Sequence, residues 1–232
     1  MSQTPTAPFA SNAEYLQEEI AYIKLLATRI DAEKKLDDAR KDEEEGDGPW
    51  LHRPGRLTSR DLRCRILSLG SQIADLRGQT DARLEGHRAG PSNPELGIDR
   101  LCREHALTPE ERLVLLALCI PCISREVADH VLGSLPTYYN ALSAGNLAQL
   151  LGPANIGDWL RLRQLFRPNS TLRRSGLIAV NEGGADAGPQ SLMLSEARLS
   201  LLAFSIIVGD PAVLAEVPSG AAPAGTPITT MN

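Results

Sequence analysis

Residues 101–122 read LCREHALTPEERLVLLALCIPC, and the fold turns on how this stretch is read. Cys102-x2-His105 and Cys119-x2-Cys122, with 13 residues between the pairs, have a spacing that a structural zinc site can use. The same residues also read as two helices. Thr108-Pro109-Glu110-Glu111 is a compound start signal: threonine caps, proline takes the first position and Glu111 closes a capping box. Behind it comes LVLLALCI, an apolar run in which Cys119 behaves as a small hydrophobe, while His105 ends the preceding helix where a cation suits the dipole. CIPC as a redox dithiol would need its first cysteine at an exposed helix N-terminus. Here it follows a buried helix that Pro121 is expected to terminate. The helical reading is adopted, with helices over 96–106 and 109–120 and no metal or cofactor. Cys102, His105, Cys119 and Cys122 remain the zinc candidates of the minor reading.

Toward the C-terminus, Ser124 starts a helix that Gly133 ends, and shorter helical pieces follow at Tyr138–Leu142 and Asn146–Leu151. A longer helix is predicted over Ile156–Phe166. Leu177–Val180 and Ser191–Leu194 are strand candidates separated by NEGGADAGPQ, a loop built for reversal. An apolar helix over Glu196–Val208 closes this part, and residues 211–232 form a Pro/Ala/Gly-rich tail expected to be disordered or a linker.

Toward the N-terminus, EGHRAGPSNPELG marks a linker at residues 86–95, and two helical seams precede it. In the first, Leu16, Ile20, Ile23, Ala27 and Ile30 alternate at spacings of four and three. In the second, which Thr58 or Ser59 can cap, Leu62, Ile66, Leu69, Ile73 and Leu76 do the same before Thr80 and Arg83 break the pattern. Residues 13–85 therefore read as an antiparallel helical hairpin, a coiled coil between subunits, or a helix pair packed on the main domain at 96–210. Residues 1–12 read as a flexible lead.

Composition narrows the function classes. The 24 basic and 29 acidic residues leave a net charge of -5, which argues against a general nucleic-acid coat. The lysines are Lys24, Lys34, Lys35 and Lys41, so no G-x-x-x-x-G-K-[ST] phosphate loop occurs. No apolar run approaches the ~20 residues of a membrane span, and MSQTPTAPFASNAEY lacks the regions of a secretory signal. The chain is expected to be cytoplasmic, with its four cysteines reduced. His52, His87, His105 and His130 are scattered with no nucleophile nearby in sequence, and DEEEGDG reads as a solvated turn. No enzyme is predicted. Arg161, Arg163, Arg167, Arg173 and Arg174 form the one concentrated basic patch. It is either an interaction surface for phosphates or an acidic protein face, or a set of solubilising residues, and the aromatic interleaving expected of a nucleic-acid surface is missing.

The fold class predicted is mainly α: an N-terminal helical hairpin or coiled coil, then a winged-helix-like domain with a small two-stranded β-hairpin. The segments LGIDRLCREHALTPEERLVLLALCI, SAGNLAQLLG, LRLRQLFRPNSTLRRSGLIAV and LSEARLSLLAFSIIVGD resemble successive parts of the variant winged-helix region at the N-terminal side of certain bacterial Cdc48-like AAA+ ATPases. YLQEEIAYIKLLATRI resembles the leader helix of such proteins. The resemblance covers about residues 95–210 and departs in one large respect, because this sequence holds no ATPase domain and ATPase activity carries over to no residue. It implies a non-catalytic adaptor or regulatory region making protein contacts for substrate selection or assembly, with an AAA+ ring or a contractile injection-system component as partner and homo-oligomerisation through the helices. The alternative is a winged-helix transcriptional regulator reading DNA with Asn146 and Gln149 of NLAQLL, which lacks an arginine.

Overall fold

The structure, a computed structural model, describes residues 7–44, 57–135, 142–181 and 191–210. The expectations for residues 1–6, for DEEEGDG beyond Glu44, for Tyr138–Ala141, for NEGGADAGPQ beyond Asn181 and for the tail at 211–232 lie outside the described residues.

Two long helices, α1 (Asn12–Glu44) and α2 (Ser59–Ala89), form the N-terminal half. They run antiparallel, since Ser59 at the start of α2 bonds Glu43 at the end of α1 while Arg83 reaches Glu14. The α2 start follows the sequence signal: Thr58 accepts from Asp61 N–H, and Asp61 accepts from Thr58 N–H at 3.2 Å. Along α1, Arg29–Glu33 at 2.8 Å and Lys35–Asp31 at 2.7 Å are exposed i,i+4 pairs that support the helix modestly.

Parts of the two seams enter two apolar clusters. Leu16, Ile23 and Ala27 are buried, and Ile20 and Ile30 pack beside them, in one core with the elements that follow Leu96. Further along, Leu36 and Ala39 meet Leu62 and half-buried Ile66 in a small separate cluster. Leu69 and Ile73 are buried, and Leu76 is half-buried. One helix pair is thus both part of the main core and, at its far end, an arm.

The second helix does not break at Thr80 and Arg83 but runs on to Ala89. Those polar residues face α1 rather than solvent: Thr80 donates to Glu18 at 2.9 Å, and Arg83 pairs with both Glu14 and Glu18. The lead is also partly ordered. Phe9 is buried with its ring edge-on to Tyr15 and beneath the Arg83 guanidinium, 4.1 Å from the ring centroid.

The helices α3 (Gly97–His105), α4 (Pro109–Ile123) and α5 (Arg125–Ser134) follow. The capping box at Thr108 is present in both directions, Glu111 N–H to Thr108 Oγ1 at 3.2 Å and Thr108 N–H to Glu111 Oε2 at 3.0 Å. Pro121 does not terminate α4, which continues to Ile123. The missing N–H falls in the last turn, and Ser124 closes the end through its own N–H to Ile120. Ser124 then caps α5 as expected.

After Leu142 come α6 (Ala144–Leu150), α7 (Ile156–Arg163) with a 3-10 turn over Gln164–Phe166, and α8 (Thr171–Arg174). Strand β1 (Ile178–Asn181) pairs antiparallel with β2 (Glu196–Leu199), Ile178 opposite Leu199. The second strand differs from expectation. Ser191–Leu194 is a helical turn, α9, and β2 is taken from the front of the expected closing helix, leaving α10 as Leu201–Val208. The start of α10 is set by Ser200, whose hydroxyl accepts from Ala203 N–H at 3.2 Å. On the far side of β2, Ser143 bridges Glu196, with Ala197 N–H to Leu142 O and Ala144 N–H to Ser195 O both at 3.0 Å.

Asn12 joins three helix ends. Its Nδ2 donates to Ile207 O at 2.7 Å, and its Oδ1 accepts from Gly97 N–H at 3.0 Å.

Candidate interaction surface

The four zinc candidates end up on two helices, Cys102 and His105 on α3, Cys119 and Cys122 on α4. Cys119 is buried, Cys102 half-buried and Cys122 exposed. Among the described residues no three His, Cys, Asp or Glu side chains lie where they could share a metal ion. Burial pushes the Cys102 thiol up to about 11 and that of Cys119 up to about 12, so both are held neutral.

Between α5 and the two-stranded wing, the order is a short extended segment, α6, α7 with its 3-10 turn, and α8. In a helix-turn-helix the second helix meets the ligand, and the helix that follows α6 across the turn is α7. Asn146 and Gln149 lie on α6. Asn146 is buried, with its N–H on the Ser143 hydroxyl at 3.1 Å, and Gln149 is half-buried. The helix carrying the outward face is built around two inward anchors, Leu162 and Phe166, both fully buried. Asn155 caps it by accepting from Asp158 N–H at 3.1 Å.

Beside the exposed Arg161, α7 shows a group of large apolar side chains to solvent. Ile156 is 80% exposed, Leu160 57% and Trp159 37%, at spacings of three and four that put them on one side of the helix. Nothing among the described residues covers the exposed parts of these side chains. The signal was present in the sequence as IGDWLRLR, but a helix apolar on two sides reads by periodicity alone as a buried one.

The arginine patch divides. Arg161 pairs with Glu110 at the head of α4 and lies 3.9 Å from Asp158; it holds the Glu110 carboxyl below the usual carboxylate range. Arg173 donates to Phe166 O at 3.1 Å, closing the turn after α7. Arg163 is half-buried, while Arg167 and Arg174 are exposed.

A second polar feature lies deep in the seam. Glu19 is 0% exposed, clasped by Arg112 of α4 and by Arg77 of α2 at 3.2 Å. Arg112 also donates to the buried Tyr15 hydroxyl. Burial works against the Arg112 charge, and Glu19 and Tyr15 outweigh it, so the guanidinium stays protonated; burial pushes the Tyr15 phenol up. A cleft of about 230 Å³ opens beside this cluster, between Glu19, Tyr22, Arg77, Arg112, Leu113 and Leu151. Glu19 was missed in the sequence although Tyr15, Glu19 and Ile23 are four apart, which places an acid inside the apolar stripe.

Helix-turn-helix, flanking extended segment and two-stranded wing together define the winged-helix class. A family model described as "Winged helix domain, variant" matches residues 1–221, and the chain belongs to that family. The matched span takes in α1 and α2 as well as the winged helix. No curated protein and no solved structure matches the chain.

Proposed function

We propose that this chain is a non-catalytic protein-contact region, the adaptor or regulatory part that accompanies a Cdc48-like AAA+ ATPase in the resemblance noted above, working in the cytoplasm. The observation that carries the reading is the Ile156, Trp159 and Leu160 face of α7. A helix that reads DNA presents amides, arginines or small polar groups to base edges. Large exposed apolar side chains in that position suit a protein surface instead. No helix is long and apolar enough to cross a membrane among the described residues. On this reading the partner is an AAA+ ring or an injection-system component, and the α1–α2 arm supplies a second surface.

The DNA-regulator reading has two observations in its favour, the winged-helix match, which suits DNA binding as well as protein contact, and the exposed Arg167 and Arg174. Titration of random and genomic duplexes at near-physiological salt separates the two. Protein contact predicts weak, sequence-independent binding that falls steeply with salt. Selective nanomolar binding that is lost on Arg167→Ala and Arg174→Ala establishes the regulator in its place.

A further inference from the structure

Resting on the protein-contact reading of α7, we infer that its outward face docks a helix of a partner protein that is apolar along one side and acidic at the flank. Three observations lead there. First, Ile156, Trp159 and Leu160 span about 100° of helix surface at 100° per residue, the width of stripe that one packed helix covers. Leu162 and Phe166 already hold α7 to the core along the side next to Trp159, so the exposed Ile156 and Leu160 are not what anchors the helix.

Second, the unmatched charge beyond the C-terminal end of the stripe is positive. Arg161 is matched by Glu110 and Asp158, but Arg167 and Arg174 are exposed with no acidic partner among the described residues. Both lie beyond the C-terminal end of the stripe: Arg167 directly after the 3-10 turn, with Ser170 N–H on its carbonyl at 2.9 Å, and Arg174 at the end of α8, which packs on that turn. A partner therefore meets apolar side chains first and positive charge at one end.

Third, alternative anions fit less well. A duplex offers phosphates and polar base edges where the stripe is widest and apolar. A lipid surface is held by a long amphipathic helix lying in the interface, and α7 has 8 residues. An amphipathic helix with carboxylates at one flank satisfies both the stripe and the arginines, in the helix-in-groove manner. The area is small, so affinity in the micromolar range is expected.

The test uses the full chain with Trp50→Phe, leaving Trp159 as the fluorescent reporter, and two synthetic amphipathic helices of equal length and leucine pattern, one flanked by glutamates and the other by lysines. The expected result is saturable binding with a blue shift of Trp159, at least tenfold in favour of the glutamate helix and weakening with salt. Leu160→Glu abolishes it with the far-ultraviolet dichroism unchanged, Leu67→Glu on the arm leaves it intact, and Arg167→Glu with Arg174→Glu reverses the preference. Equal binding of the two helices, or none of either up to about 1 mM, where binding free energy is only about 4 kcal/mol, overturns the inference. Failure of the underlying reading looks different: selective nanomolar duplex binding in the titration above.

Discussion

A Cβ built on Gly97 would lie 1.8 Å from the backbone carbonyl oxygen of Ile206. At the N-terminus of α3 and the last turn of α10, the two helices touch backbone to backbone, and Asn12 holds both by hydrogen bonds. Gly97→Ala is expected to force the pair apart and destabilise the fold by about 3 kcal/mol, the upper part of the overpacking range. Asn12→Ala, which frees Gly97 N–H and Ile207 O, should lose about 1–2 kcal/mol. Urea unfolding monitored by helicity checks both, and a Gly97→Ala protein as stable as the parent would contradict the contact.

Buried Glu19 should be far more costly to remove alone than with its partners. Glu19→Ala leaves Arg112 enclosed and uncompensated, a loss on the order of 3–5 kcal/mol. Glu19→Leu combined with Arg112→Leu removes both charges and should recover most of that loss. A double-mutant cycle gives the coupling, and additivity of the two changes would show that the pair does not interact.

Gly70, Gly78 and Gly86 lie inside α2, and a Cβ on any of them meets nothing within 4 Å. Alanine at each position is expected to raise stability by roughly 0.5–1 kcal/mol through lower chain entropy and better helix propensity. Thermal unfolding of the three single variants is the check. A loss at any of them would mean that the apparently open side of α2 is occupied in solution.

The buried thiols set an alkaline limit. Burial raises Cys119 from the ordinary thiol value of 9.0 to about 12, so the folded state keeps its proton more tightly than the unfolded chain does. Its contribution is complete below about pH 9 and is lost as pH rises toward 12. Cys119→Ala should therefore flatten the decline of stability over that window. Iodoacetamide should modify exposed Cys64 and Cys122 well before Cys119; uniform labelling of all four would place Cys119 at the surface.

The fold is legible in the sequence where a local signal and burial agree. The box at Thr108 and the cap at Thr58, one of the two residues the sequence offered there, set their helix starts, and the LVLLALCI run is part of the core. The fold is not legible where tertiary partners decide. Thr80 and Arg83 read as a break because their acids on α1 are about 60 residues away. Glu196–Leu199 read as helix because its pairing with β1 and with Ser143 is non-local. Ile156–Phe166 reads as a helix in the sequence, but which of its apolar side chains stay exposed depends on the burial of Leu162 and Phe166 in the folded chain.

A single helix joins the buried acid cluster to the tip of the arm. Between Asn12 and Glu44, α1 contains neither glycine nor proline, the residues at which helices usually kink, and it is about 50 Å long at 1.5 Å per residue. Its companion α2 has three glycines in the same span. The arm is consequently a stiff rod lying against a more compliant one, fixed at one end by Tyr15 and Glu19. A sideways push on the tip has no hinge in α1 to absorb it, so it arrives as torque at the Arg112 contact on α4, the helix whose Glu110 holds Arg161 of α7.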